Sequence, residues 1–168
     1  MTLNSAAVAS CIALILGSIA LGGGIYENLV VDAVWPRNIS LIQPNRGGLN
    51  RKIFWVLIHP LFELALLASA WLSWNHSAAR LWVIVALVGH FSARVWSFAY
   101  FIPRALRFEK LAELTPDEMR SATRWIKLSR FRPLLEAVSI AALAMILLYF
   151  ANVGTSGQAL ASWATRGG

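Results

Sequence analysis

Four long apolar stretches constrain this chain more than anything else in it. A mainly apolar helix needs about 20 residues to cross a bilayer, and residues 6–31, 53–74, 80–102 and 133–153 all reach that length. β-Barrel spans would alternate apolar and polar residues in segments of about ten, separated by turns. The runs here are instead continuous and rich in Leu, Ala, Ile and Val. The expected fold is therefore all-α, an integral membrane four-helix bundle running up-down-up-down as one domain over residues 1–168. A hydrophobic content of 58% and a mean hydropathy of +0.60 agree, being well above a soluble domain. No Lys or Arg precedes Arg37, so the first run reads as a retained helix rather than a signal peptide.

Charge is sorted along the chain. The segment between the first two spans carries Arg37, Arg46, Arg51 and Lys52. The segment between the last two carries Arg104, Arg107, Lys110, Arg120, Arg124, Lys127 and Arg130, whereas the opposite side offers Arg80 and Arg166. The positive-inside rule then places both basic loops in the cytoplasm and both termini outside, in a plasma (inner) membrane. The net charge of +7 is accounted for by anionic lipid, so the lipid bilayer is the expected partner and nucleic acid is not. The lone Cys11 excludes an internal disulfide and a cysteine metal cluster, and reads as a small packing residue.

Punctuation adds detail. Gly22, Gly23 and Gly24 predict a break or bend near the end of the first span, and Trp35-Pro36 ends that segment. Asn50 is the expected N-cap of the second span, which contains Pro60. Pro103 ends the third. Thr115-Pro116-Asp117-Glu118 is a helix start, opening an interfacial cytoplasmic helix over about 116–129 before the last span. Trp35, Trp55, Trp71, Trp74, Trp82 and Trp163 fall near span ends, as interfacial anchors do. Trp96 lies deeper, and the tail from Gly154 is expected to fray.

Six ionisable side chains lie inside the spans: Glu27, His59, Glu63, His90, Arg94 and Glu136. Each costs roughly 2.5–3.5 kcal/mol on insertion scales, so such groups persist where they face a bundle interior and have partners. His59 and Glu63 are four residues apart, as are His90 and Arg94, and Arg132 and Glu136. That spacing puts each pair on one helix face. Counted at about 1.5 Å per residue from the cytoplasmic ends, all six fall in one layer on that side, with His59 and His90 separated by about 9 Å in depth.

Three chemistries suit this layer. His59, Glu63, His90, Glu136 and Glu27 could ligate iron, copper, manganese or zinc, as Glu and His do in di-iron bundles. His59 and His90 could be axial ligands of a haem, although their depth difference argues against a shared iron. Alternatively the groups form cofactor-free ion pairs, either a proton-handling active site or structural glue. Arg94 would then pair with Glu63, Glu136 or Glu27, and Arg132 with Glu136. Arg94, Arg132 and Tyr26 are the candidate catalytic side chains. Tyr26, Trp55, Phe62, Phe91, Trp96, Tyr100 and Phe101 near the layer suit a flat apolar ligand or ordinary packing.

The glycine-rich first span leading into Val30-Val31-Asp32-Ala33-Val34-Trp35-Pro36, the Phe101-Ile102-Pro103-Arg104 run, and Trp125 followed by Arg132 resemble the anthrone-oxygenase-like family of small four-helix membrane proteins over about residues 10–150. Where that family's pattern carries a histidine between its tryptophan and arginine, this chain has Ser129. The resemblance implies oxidation of a polycyclic phenolic or similar apolar substrate by oxygen. The expected function is a membrane oxidoreductase acting on an apolar or quinone-like small molecule, with metal at the layer. The alternative is a non-catalytic transport, binding or assembly subunit whose polar layer is structural or conducts protons. Four short helices leave enough lipid-facing surface for a homo-oligomer.

Overall fold

The computed structural model describes residues 4–166, with residues 154–166 described as helical backbone alone. Among the described residues four helical stretches are long and apolar enough to cross a membrane. Helix α1 spans Ser5–Tyr26, α2 Arg51–Ser73, α3 Ser77–Trp96, α4 Ile102–Phe108, α5 Pro116–Ser129 and α6 Arg132–Arg166. The spans expected from sequence agree to within a few residues, except that α6 continues past the point where a frayed tail was expected. The side chains of that tail, Trp163 included, lie outside the described set.

The long helices pack in a ring, α2 on α1, α1 on α6 and α6 on α3, while α3 and α2 close it more loosely. Small residues make the close contacts, as they do where lipid supplies no hydrophobic drive between helices. Gly17 lies under the Phe62 ring, and Gly89 lies under Ser139 and the Leu135 carbonyl. Ser10 and Ser69 share a buried hydrogen bond of 2.7 Å between α1 and α2. The Ser139 hydroxyl donates to the Ala86 carbonyl at 2.8 Å between α6 and α3. Around these contacts Phe62, Leu66, Val83, Leu143 and Ile146 form the bundle core.

A second core lies at one end of the bundle, where α1 and α3 finish. Val31, Trp35, Ile42, Phe101, Phe108, Trp125 and Ile126 bury one another there. Trp35 meets Phe108 at 5.2 Å and Trp125 at 6.2 Å between ring centroids. The Trp125 indole donates to the Phe101 carbonyl at 3.1 Å. Trp35 is thus 1% exposed, not an interfacial anchor, because the chain after α1 folds back over the bundle end. Trp96 also joins this core rather than lining the bundle interior. By contrast Trp71 is 83% exposed, as an anchor should be, and Cys11 is exposed rather than packed.

Both helices reach this end through π turns, Glu27–Val31 after α1 and Ser97–Phe101 after α3. Each turn holds an extra residue relative to α-helix, a feature frequent at functional sites. The triple glycine does not break α1, which stays α-helical to Tyr26. Gly23 is needed for a different reason, since a Cβ there would lie 2.5 Å from the Phe54 ring. Nor does Pro103 end the third span. It sits in the first turn of α4, where its missing N–H costs no intrahelical bond. The expected α5 start is present in full: the Thr115 hydroxyl accepts from the Glu118 amide, and the Glu118 carboxylate accepts from the Thr115 amide. Asn50 occupies the N-cap position of α2 without a side-chain bond.

Candidate functional site

His90 is the centre of the intramembrane polar layer. It is fully buried on α3, enclosed by Phe62 at 4.6 Å and Phe91 at 5.4 Å between ring centroids. Its Nδ1 lies 3.1 Å from both Glu136 oxygens on α6, and its Nε2 lies 3.5 Å from Glu63 Oε1 on α2. The same Glu63 oxygen accepts a hydrogen bond from Arg94 Nε at 2.7 Å. Three helices therefore contribute to one continuous chain, Glu136–His90–Glu63–Arg94. Gly89 is what lets α6 come this close, since it and His90 are adjacent, and Leu135 and Ser139 flank Glu136.

His59 lies at the edge of this chain. Its ring stacks on Trp55 at 5.0 Å and stands 6.1 Å from the His90 ring. That is closer than the depth count expects. The count took Pro103 as the end of the third span, whereas the helix runs on to Phe108 through a π turn, so the two helices share no common origin. His59 Nδ1 and His90 Nε2 are both buried and make no hydrogen bond. Two imidazole nitrogens left in that condition, beside a carboxylate, are polar capacity that the resting protein does not use.

The other expected members stand apart. Glu27 pairs with Arg51 at 3.7 Å, and Arg51 reaches Glu109 at 3.6 Å, which Lys52 also holds at 2.7 Å. This ion-pair group ties the ends of α1 and α2 to the loop after α4 and does not include His90. Arg132 does not pair with Glu136. Its Nη1 donates to Ser97 Oγ at 3.4 Å and its guanidinium lies 4.4 Å from the Phe101 ring centre. Tyr26 is 57% exposed and outside the layer. Among the expected aromatic neighbours, Trp55, Phe62 and Phe91 surround the histidines, whereas Trp96, Tyr100 and Phe101 belong to the second core.

A further polar knot was not singled out in the sequence. The Ser129 hydroxyl on α5 is 2.7 Å from Asn28 Oδ1 and 3.2 Å from Asp32 Oδ2, and Asp32 Oδ1 accepts from the Trp35 indole at 3.0 Å. Asp32 lies just beyond the first span and is 2% exposed. Burial, reinforced by Glu27, raises its pKa from 3.8 to about 6. A protonated Asp32 can donate to Ser129, freeing the single Ser129 proton for Asn28. Asn28 and Asp32 are four residues apart, the same spacing that pointed to His59 and Glu63.

Two hollows of about 310 and 350 Å³ lie away from His90, one lined by residues such as Gln43, Lys52 and Glu109, the other by basic residues of α5. Among the described residues no three His, Cys, Asp or Glu side chains are grouped to hold a metal ion. Comparison with protein-family models, curated proteins and solved structures returns no match for this chain.

Proposed function

We propose that this protein is an integral membrane oxidoreductase whose Glu136–His90–Glu63–Arg94 chain handles protons for an apolar, quinone-like or polycyclic phenolic substrate, with dioxygen as oxidant. The observation that carries the reading is His90 itself, wholly buried and clasped between two carboxylates from different helices. Oxidising a hydroquinone releases protons together with electrons, so a site for it needs a base within the apolar core. The Glu136 carboxylate fixes the imidazole through Nδ1 and stabilises its charged form. Nε2 is then free to accept a proton, and Arg94 stabilises an oxyanion that develops beside it. In this reading the spans run up-down-up-down in the plasma membrane, both termini lie outside, and α5 rests on the cytoplasmic leaflet.

A second reading keeps a metal ion. The unpartnered His59 Nδ1 and His90 Nε2, with rings 6.1 Å apart, favour it. His59, His90 and Glu63 would be its ligands, Glu136 would orient His90, and the metal would supply redox or Lewis-acid chemistry. Glu63 would have to leave Arg94 to take part. A non-catalytic, proton-conducting or structural layer is the remaining alternative.

The test is oxygen uptake by purified protein in nanodiscs with a short-tailed hydroquinone, with elemental analysis of the same sample. General base catalysis contributes roughly 10²–10⁴-fold, so Glu136→Gln, which keeps the shape and loses the charge, should lower turnover by about that factor. Absence of turnover in the wild-type protein, or unchanged turnover in Glu136→Gln, refutes the proton-handling reading. Stoichiometric metal that is lost in both His59→Ala and His90→Ala would establish the second reading.

A further inference from the structure

The polar chain is open on one side only, and that side faces lipid. On α3, His90, Arg94 and Phe98 are spaced at four residues and share the face turned toward α2. The α2–α3 contact is the loosest in the ring of long helices. At this seam the Glu63 side chain is 27% exposed and that of Arg94 15%. Phe98 is 59% exposed, and the Arg94 guanidinium lies 4.6 Å from its ring centre. Both residues lie inside membrane-spanning stretches, so an ion pair is presented sideways to hydrocarbon, a placement that membrane proteins reserve for function.

Arg94 is also only partly used. Its Nε is committed to Glu63, while among the described residues no acceptor meets its terminal nitrogens. A guanidinium carries five N–H donors in a planar fork and accepts none. The remaining four, next to an exposed aromatic ring, match a flat head that carries acceptor oxygens. Water in bulk cannot satisfy them at this depth, but the head of a lipid-soluble molecule can.

We infer that the α2–α3 seam is a lateral docking site for a planar, carbonyl-headed lipophile, which enters from the bilayer, lies on Phe98 and accepts hydrogen bonds from Arg94. This deepens the function proposed above and rests on it for the chemistry that follows docking. The head would sit one helical turn from His90, within reach of the proton chain, and its tail would remain among the lipids. Charge complementarity selects this occupant over a second copy of the chain. A copy would have to bring its own acceptor to Arg94, and the exposed neighbours Leu64, Leu67 and Val95 are apolar.

The test uses the full chain in nanodiscs with an azido-benzoquinone bearing a short alkyl tail. After illumination, adducts are mapped by peptide mass spectrometry. Saturable labelling within residues 60–67 or 91–98, competed by the unmodified tailed benzoquinone, is expected. Arg94→Met should reduce it at least tenfold and Arg94→Lys less. Phe98→Ala, which removes an exposed ring and leaves the core intact, should weaken competition about threefold even where Arg94 variants fold poorly. Labelling that does not saturate, or that maps elsewhere, overturns the inference. So does rapid disulfide formation between copies carrying Phe98→Cys, which would assign the seam to a dimer. Turnover is measured on the same sample. Seam labelling without turnover refutes the oxidoreductase reading alone, and turnover without seam labelling refutes lateral docking alone.

Discussion

Replacing Gly89 by alanine should destabilise this protein, whereas the same change at Gly22 should not. An alanine Cβ at position 89 would lie 2.6 Å from Ser139 Oγ, 3.0 Å from the Leu135 carbonyl oxygen and 3.4 Å from the Ser139 amide. Two of those atoms are backbone and cannot rotate away, so α3 and α6 must separate. Overpacking of this kind costs about 1–3 kcal/mol. Disturbing the Ser139–Ala86 hydrogen bond adds about 0.6 kcal/mol, the mean for such bonds in membranes. Against this stands the helix-propensity gain of Gly→Ala, up to about 1 kcal/mol. The balance is a loss of about 1–2 kcal/mol, or several degrees in Tm at roughly 2–4 °C per kcal/mol for a chain of this size. At Gly22 nothing lies within 4 Å, so the propensity gain stands alone and Tm should rise by a few degrees. The assay is thermal unfolding of both variants in one detergent, followed by helical circular dichroism. If Gly89→Ala melts at or above the wild-type temperature, the close α3–α6 crossing, and with it the His90–Glu136 geometry, is wrong.

Two further outcomes test the second core. Asp32 has its folded pKa raised to about 6 by burial, so its neutral form is the one the fold favours. Its contribution is complete below the unfolded value of 3.8 and is lost as pH rises through about 6, amounting to roughly 3 kcal/mol at about 1.4 kcal/mol per pH unit. Tm should therefore fall between pH 4 and 7 in the wild type and stay flatter in Asp32→Asn, and equal slopes would refute the assignment. Thr115→Ala removes one half of the α5 capping box and should cost about 1 kcal/mol, read as a lower denaturation midpoint in the same assay.

The spans were legible because bilayer thickness imposes a length that composition alone reveals. The α5 start was legible because a capping box is a local exchange of hydrogen bonds within four residues. The layer was legible in part. The four-residue rule placed Glu63 and Arg94 on the right faces, and Arg94 does take Glu63. It could not choose among acceptors for His90, because that choice depends on how closely α6 approaches, which Gly89 sets from a neighbouring face. Glu27 was grouped with the wrong partners for a related reason. Its depth suited the layer, but Arg51 follows a loop that folds back to meet it. The Asn28–Asp32–Ser129 knot joins residues about a hundred positions apart, and no local signal carries that pairing.

The two π turns have a consequence for how this chain can change length. Each contains one residue more than an α-helical path would use, and in α-helix one residue corresponds to about 100° of rotation. Deleting a single residue from Glu27–Val31 would rewind that stretch and swing Asp32 and Trp35 away from α5. Deleting one from Ser97–Phe101 would do the same to Phe101, whose carbonyl receives the Trp125 indole. The loop over residues 36–50 can absorb such an edit by changing its path, but these two turns cannot. The number of residues there is held as tightly as the identity of the histidine they flank.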